Sequence, residues 1–130
     1  MSLPGDKSLP TPDGQYVQLI RAYGPGHFQI AGHDWRGPVL VTPTVTTSWA
    51  VTRADELSLA NLAALEAAPM PTELLVLGCG ARPVFIAADI RAALKGVGMA
   101  LEVVDTGSAC RIYNVLLAEG RRVAAALIPL

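Results

Sequence analysis

The chain has 130 residues, of which 52% are hydrophobic and 16% charged, and its formal net charge is −1 at pH 7. A length of this order suits one domain with a single core, and so apolar a composition excludes an intrinsically disordered chain. The lack of a basic excess argues against a nucleic-acid binder.

Targeting signals and cysteine content predict a cytoplasmic protein. No apolar run approaches the roughly 20 residues of a transmembrane helix. Residues 1–14 contain neither the apolar stretch of a signal peptide nor any arginine of a mitochondrial presequence. Two cysteines, Cys79 and Cys110, fit a reducing compartment and are too few for a disulfide framework or a metal site of their own. We therefore expect no metal and no cofactor.

The chain begins with an arm and a predicted β hairpin. Residues 1–14 hold three prolines and two glycines, and we expect them to form a flexible arm ahead of one α/β domain over residues 15–130. Alternating polar and apolar side chains predict a strand over residues 16–23. A Gly-Pro-Gly turn then returns the chain into a second strand, His27–Ile30.

The rest of the first half is predicted as short elements. Residues 32–38 are predicted as a turn region, Val39–Val41 as a strand, and residues 44–52 as either a strand or an extended loop. Apolar spacing predicts a helix over residues 59–67, for which the candidate N-caps are Asp55 and Ser58.

The second half alternates strands and helices. A continuous apolar run over residues 74–77 predicts a strand buried on both faces, as in a parallel sheet. Residues 100–104 are predicted as the next buried strand, and residues 123–127 as the strand that closes the sheet. Helices are predicted between them, over residues 86–95 and from a cap at Thr106 or Ser108 to Glu119. The resulting β-α-β-α-β order predicts an α/β fold whose first two strands are parallel, joined to a β meander from the first half.

Two polar loops follow these strands and define the candidate site. Residues 78–83 and 105–109 each precede a helix, and ligands of open α/β sheets bind outside the carboxyl ends of the strands. Gly78 and Gly80 either admit a ligand closely or only permit a tight turn. With Asp105 on the next strand, they form half of a dinucleotide fingerprint, but Pro83 stands at the third glycine position.

The two cysteines fall on or near these loops. A thiol at a helix N-terminus beside an arginine has a lowered pKa and raised reactivity. The alternative is that Cys79 and Cys110 are small buried apolar residues. No spacing ties His27 or His33 to a cysteine, so a Cys–His nucleophile pair is not predicted.

The third helix carries further polar candidates. Asn114 either bonds a neighbouring backbone or points into the crevice, and Arg111 either pairs with Asp105 or is available to a carboxylate or phosphate. Glu119, Arg121 and Arg122 form either a solvated cluster or a partner contact. The candidate ligand- or partner-binding residues are Gly78, Cys79, Gly80, Arg82, Asp105, Thr106, Cys110, Arg111 and Asn114.

Three stretches carry a family resemblance: the GCG that follows LLVL, the run DTGSACRIYNVL from Asp105, and EGRRV from Glu119. The sequence resembles a small family of unknown function that includes the mitochondrial complex I assembly factor 3 proteins and short bacterial and archaeal proteins. The resemblance implies a three-layer α/β domain with a central mixed sheet and a smaller β layer, and no established catalytic activity. The eukaryotic relatives look like assembly chaperones, and the lack of a presequence fits a bacterial member.

These observations favour a non-enzymatic binding or assembly protein that contacts a protein partner or a small anion through the crevice between the two loops. Two alternatives remain open. One is a small enzyme acting through Cys110 or Cys79 with Arg111 and Asp105, and the other is a dinucleotide-binding module. The first-half strands could also pair across a dimer.

Overall fold

A computed structural model describes residues 17–130 of the chain. The arm predicted over residues 1–14 and the predicted strand start at Tyr16 lie outside the described residues. Within them, none of the helices has the combination of length and apolar character needed to cross a membrane.

A five-stranded mixed sheet forms the centre of the fold. Its spatial order is β5 (Thr46–Ser48), β4 (Val39–Val41), β8 (Val123–Ile128), β6 (Leu74–Cys79) and β7 (Ala100–Val104). The strands β7, β6 and β8 run parallel to one another, which confirms the parallel pairing predicted for β6 and β7. The prediction that Ala100–Val104 is a buried strand is wrong, because β7 lies at the edge of the sheet and its Ala100 and Glu102 are exposed. The strands β8, β4 and β5 pair antiparallel. The last strand in the chain therefore lies in the middle of the sheet.

A three-stranded meander forms the smaller β layer. It consists of β1 (Ile20–Gly24), β2 (His27–Ile30) and β3 (His33–Arg36), paired antiparallel in that order. Within the described residues the first strand begins at Ile20, and ahead of it the Gln18 N–H donates to Pro43 O at 3.1 Å.

The prediction of a turn region over residues 32–38 is wrong in its middle, where β3 forms. The connection to β2 needs only Ala31 and Gly32, whose φ angles of +50° and +82° match the tight turn of a two-residue hairpin. Three of the four side chains of β3 are exposed, so this strand lacks the apolar alternation by which a half-buried strand is identified in a sequence.

Two α-helices follow the second-half prediction closely. They are α1 (Ala88–Gly96) and α2 (Thr106–Ala118). The cap of α2 is neither Thr106 nor Ser108 but Asp105, whose side chain accepts the Ser108 N–H. A carboxylate one residue earlier reaches the free N–H group of the first turn as well as a hydroxyl would. The Thr106 hydroxyl is hydrogen-bonded to Gly80 and Ile128 instead.

The predicted helix over residues 59–67 is a 3₁₀ helix, Ala60–Ala67, preceded by a shorter one, Ala54–Glu56. Leu62 and Leu65 are buried while Leu59 is 41% exposed. A 3₁₀ helix has three residues per turn, so side chains three apart share one face. Asp55 lies inside the shorter helix, and the Ser58 hydroxyl accepts the Asn61 N–H at 3.3 Å.

Two hydrophobic clusters pack on opposite faces of the central sheet. Along β6, Val76 belongs to one cluster while Leu75 and Leu77 belong to the other, as expected for side chains that alternate across a strand. The first cluster joins the sheet to α2 and the meander, and the second joins it to α1 and the 3₁₀ helices. This arrangement confirms the three-layer α/β fold with a central mixed sheet.

Candidate functional site

The two loops predicted to meet are in direct contact through Thr106. Its side chain is fully buried, and its hydroxyl accepts the Gly80 N–H at 2.7 Å and donates to the Ile128 carbonyl. The Thr106 N–H also donates to Gly80 O at 2.9 Å. The Thr106 side chain thus connects the ends of β6 and β8 to the start of α2. The two loops are also hydrogen-bonded to each other directly through the backbone.

Both glycines of the first loop have structural reasons to be glycine. A Cβ at Gly78 would lie 3.0 Å from Ala109 Cβ, Leu127 Cδ2 and Thr106 Cα, so the helix packs directly on this backbone. Gly80 has a φ of +93°, a conformation that favours glycine. At Gly80 the structure therefore matches the tight-turn alternative, whereas Gly78 allows the close approach of a helix instead of a ligand.

Asp105 caps α2 with both carboxylate oxygens. One oxygen accepts the Ser108 N–H at 3.1 Å and the other accepts the Ser108 hydroxyl at 2.6 Å. These two hydrogen bonds, assisted by the positive charge of Arg111, lower the pKa of the Asp105 carboxyl. Because its pKa is lowered, Asp105 stays charged while it caps α2. The residue is partly exposed.

Arg111 lies on the outer side of the same turn. Its guanidinium donates to the Tyr23 hydroxyl and to the Ser108 hydroxyl, both at 3.3 Å. The arginine thus connects the meander to the cap of α2 instead of pairing directly with Asp105, and its side chain is exposed. Such long, exposed hydrogen bonds leave the guanidinium accessible to an acidic group from outside.

Asn114 hydrogen-bonds a neighbouring backbone, which is the first of the two alternatives predicted for it. Its carboxamide accepts the Ile20 N–H at 3.0 Å and donates to Ile20 O at 2.8 Å, both in a buried environment. At the preceding residue of the helix, the Tyr113 hydroxyl donates to Gln18 O at 2.8 Å, and burial raises the pKa of that hydroxyl. Together these side chains fasten α2 to β1.

The cysteines lie on opposite faces of the sheet. Cys110 is fully buried in the cluster beneath α2, and burial raises the pKa of its thiol to about 12. Cys79 packs at the edge of the other cluster, and partial burial raises its pKa too. Both shifts are opposite to the lowered pKa of a reactive thiol. Cys110 thus fits the alternative of a small buried residue, whereas Cys79 is only partly buried.

Arg82 is one of three exposed residues of the first loop, with Ala81 and Pro83. Its side chain is exposed, and α1 begins only at Ala88, so the loop does not lead directly into a helix N-terminus as predicted. Phe85 follows in the same connection and is 85% exposed, the highest value among the large hydrophobic residues that the structure describes.

Sequence reasoning missed Tyr23 and Tyr113. A tyrosine with a buried hydroxyl needs a hydrogen-bond partner, but these partners lie 88 and 95 positions away in the chain, at Arg111 and Gln18. Among residues 17–130, no group of three or more His, Cys, Asp or Glu side chains could hold a metal ion.

These features define an α/β domain in which a meander and one helix cover one face of a mixed sheet. The chain belongs to the family described as Protein of unknown function (DUF498/DUF598), whose sequence profile matches residues 20–128. It is 41% identical to an uncharacterised protein of Rhodobacter capsulatus over 85% of this chain and 84% of that protein.

Curated relatives also include animal assembly factors. The chain is 39% identical to NADH dehydrogenase [ubiquinone] 1 alpha subcomplex assembly factor 3 of Danio rerio and 30% identical to that of Homo sapiens. These alignments cover 85% and 94% of this chain. The chain spans 64% and 66% of those two proteins, just under two thirds of their length.

Solved structures share the fold. A crystal structure of a Bordetella parapertussis protein is 31% identical, with a TM-score of 0.79 over 88% of this chain and 97% of that one. The solution structure of a Mth938-like domain from Bordetella pertussis is 27% identical, with a TM-score of 0.75 over 99% and 92% of the two chains.

Proposed function

We propose that this chain is a non-enzymatic assembly factor that acts by binding a protein partner and serves the assembly of respiratory complex I. The observation that carries the proposal is the 39% identity to an assembly factor over 85% of the chain. The geometry of the loops supports the non-enzymatic part of the proposal, because the polar groups of Asp105, Thr106 and Asn114 form hydrogen bonds within the domain.

The partner surface that we propose lies at the carboxyl ends of β6 and β7. Of the nine candidate residues, Arg82 and Arg111 are exposed, and Asp105 is partly exposed. The exposed Phe85, three residues after Arg82 in the chain, adds an aromatic group. Aromatic residues and arginine are the side chains most often central to protein interfaces. Two arginines favour an acidic face on the partner.

A deletion strain tests the proposal. Complex I would be measured by native electrophoresis and by NADH oxidation in isolated membranes, after complementation with wild type, Arg82→Glu or Arg91→Glu. Arg82→Glu reverses a charge on the proposed surface without breaking a hydrogen bond within residues 17–130, and Arg91→Glu makes the same change at an exposed position on α1 that is not among the candidate residues. We expect loss of complex I in the deletion and with Arg82→Glu, and recovery with Arg91→Glu.

A wild-type level of complex I in the deletion strain would contradict the assembly role. Equal recovery by Arg82→Glu and Arg91→Glu would instead remove this surface from the proposal. An Arg111→Gln variant adds a second probe of the same surface, provided that its stability is measured, because Arg111 also bonds Tyr23 and Ser108.

A further inference from the structure

Two grooves lie at the other end of the sheet, where the parallel strands begin. They have cavity volumes of about 250 and 440 Å³. They flank the connection formed by residues 68–72 and share four lining residues from it, Ala68, Pro69, Pro71 and Thr72. Val123, the first residue of β8, lines one of them, so the double groove is separated from the Gly80 and Thr106 loops by the length of the sheet.

Exposed apolar side chains concentrate on the double groove. Of the six large hydrophobic residues that are exposed within residues 17–130, three line it: Leu59, Met70 and Val97, which are 41%, 56% and 59% exposed. Single exposed apolar side chains need no explanation, but a cluster of them marks an interaction surface. Met70 lies on the shared connection, and the flexible thioether of methionine adapts to different partners.

The two grooves carry opposite charges. Arg121 lines the smaller groove and Glu66 the larger one, and neither forms an ion pair within residues 17–130. The neighbouring Arg122 is different, because it pairs with Glu73. The double groove therefore presents an apolar floor with a free cation on one side of residues 68–72 and a free carboxylate on the other.

We infer that the double groove binds an extended segment of a protein partner, in which an apolar centre is flanked by a carboxylate that meets Arg121 and a cation that meets Glu66. A segment that crosses residues 68–72 places an apolar side chain in each groove and satisfies both charges. This inference rests on the proposed function, since it names the chemistry of a partner, but it uses a surface remote from Arg82 and Arg111.

A peptide-display selection tests the inference with defined probes. The library presents ten-residue peptides with a fixed apolar centre and both flanks randomised among Asp, Glu, Lys, Arg and Ser. Wild type, Arg121→Glu, Glu66→Lys and the control Arg91→Glu are used in parallel as full chains, and selected peptides are then measured by fluorescence anisotropy.

Wild type and Arg91→Glu are expected to select an acidic residue at one flank and a basic residue at the other. Arg121→Glu should weaken binding of those peptides about tenfold, as expected for loss of an interfacial charge pair, and should select a basic residue in place of the acidic one. Glu66→Lys should change the preference at the other flank, from a basic residue to an acidic one. Met70→Glu should abolish binding while circular dichroism shows an intact fold.

Three results would overturn the inference. One is the absence of a flank preference with wild type, and another is equal affinity of the selected peptides for wild type and Arg121→Glu. The third is self-association of wild type that Met70→Glu abolishes, because a second copy would then occupy the double groove. None of these results changes the complex I level in the deletion strain, so the deletion experiment tests the proposed function independently of this inference.

Discussion

The carboxamide of Asn114 on α2 hydrogen-bonds both the N–H and the C=O of Ile20, 94 positions earlier in the chain. Ile20 lies on β1, an edge strand of the meander. A buried strand edge needs partners for its backbone groups, and here one side chain supplies them. This contact joins the first quarter of the chain to its last helix.

Replacement of Asn114 by alanine should destabilise the protein strongly. The buried N–H and C=O of Ile20 would lose their partners, and each such group costs about 1–3 kcal/mol. We expect the free energy of unfolding, measured by urea denaturation, to fall by about 2–5 kcal/mol. Gln29→Ala, at an exposed position on β2, is the control and should change it by less than about 0.5 kcal/mol. Equal stabilities of the two variants would contradict the role assigned to the Asn114 contact.

Thr106 should tolerate serine but not valine. Its hydroxyl accepts from Gly80 N–H and donates to the Ile128 carbonyl in a fully buried position. Valine keeps the shape and leaves both backbone groups unsatisfied, so Thr106→Val should cost about 2–4 kcal/mol. Thr106→Ser retains the hydroxyl and loses one methyl group, at a cost of about 1 kcal/mol. Thermal and urea unfolding of both variants would test this order, and a valine variant as stable as the serine variant would refute it.

Gly107→Ala should be destabilising even though alanine favours helices. A Cβ at this position would lie 2.7 Å from the Tyr23 hydroxyl oxygen and 3.3 Å from its ring. We expect a loss of about 1–3 kcal/mol from this overpacking. In a double-mutant cycle, Tyr23→Phe removes the nearest atom, so the double variant should be more stable than the sum of the single effects by about 0.5 kcal/mol or more. Additive effects would show that the clash is relieved elsewhere.

The pH dependence of stability should report the charge of Asp105. Hydrogen bonds from Ser108 lower the pKa of this carboxyl from the ordinary value of 3.8. Near that value the unfolded chain binds more protons at this site than the folded chain. The stabilisation is thus complete above pH 3.8 and is lost as the pH falls through the lower folded pKa. Asp105→Asn, which can still cap the helix, should lower stability at pH 7 and flatten its decline in acid. Parallel curves for wild type and Asp105→Asn between pH 3 and 7 would contradict this.

Alkylation rates should separate the binding proposal from thiol catalysis. Cys110 is fully buried with a pKa of about 12, and burial also raises the pKa of the partly exposed Cys79. With iodoacetamide at pH 8, a Cys79→Ser variant should react only at the rate of unfolding. A Cys110→Ser variant should react more slowly than free cysteine, because thiolate is the reacting form. If either thiol reacts with iodoacetamide faster than free cysteine does, the result would support an enzymatic role instead.

The elements best predicted from the sequence are those with strong local patterns. The strand Leu74–Cys79 contains a continuous apolar run and the helix from Thr106 shows helical spacing with a clear stop, and both lie close to where they are predicted. The strand His33–Arg36 was missed, since its polar side chains have no local signal and its pairing with β2 stabilises it.

The candidate site was predictable in position but not in detail. Contact between the Gly80 and Thr106 segments follows from parallel strand order, and the structure contains it. Which polar groups remain available depends on contacts between residues distant in the chain, such as the Tyr23 hydroxyl with Arg111 and Asn114 with Ile20. No local pattern encodes such pairs, so the use of these residues for binding a partner stays a prediction.

The central position of Val123–Ile128 has a consequence for synthesis on the ribosome. This strand pairs directly with both Val39–Val41 and Leu74–Cys79, and of the strands within residues 17–130 it is the last to be translated. Until it leaves the exit tunnel, the nascent chain exposes two unpaired inner strand edges, which are prone to aggregation. A chaperone that shields those edges during translation should therefore matter more for this fold than for one whose last strand lies at the rim.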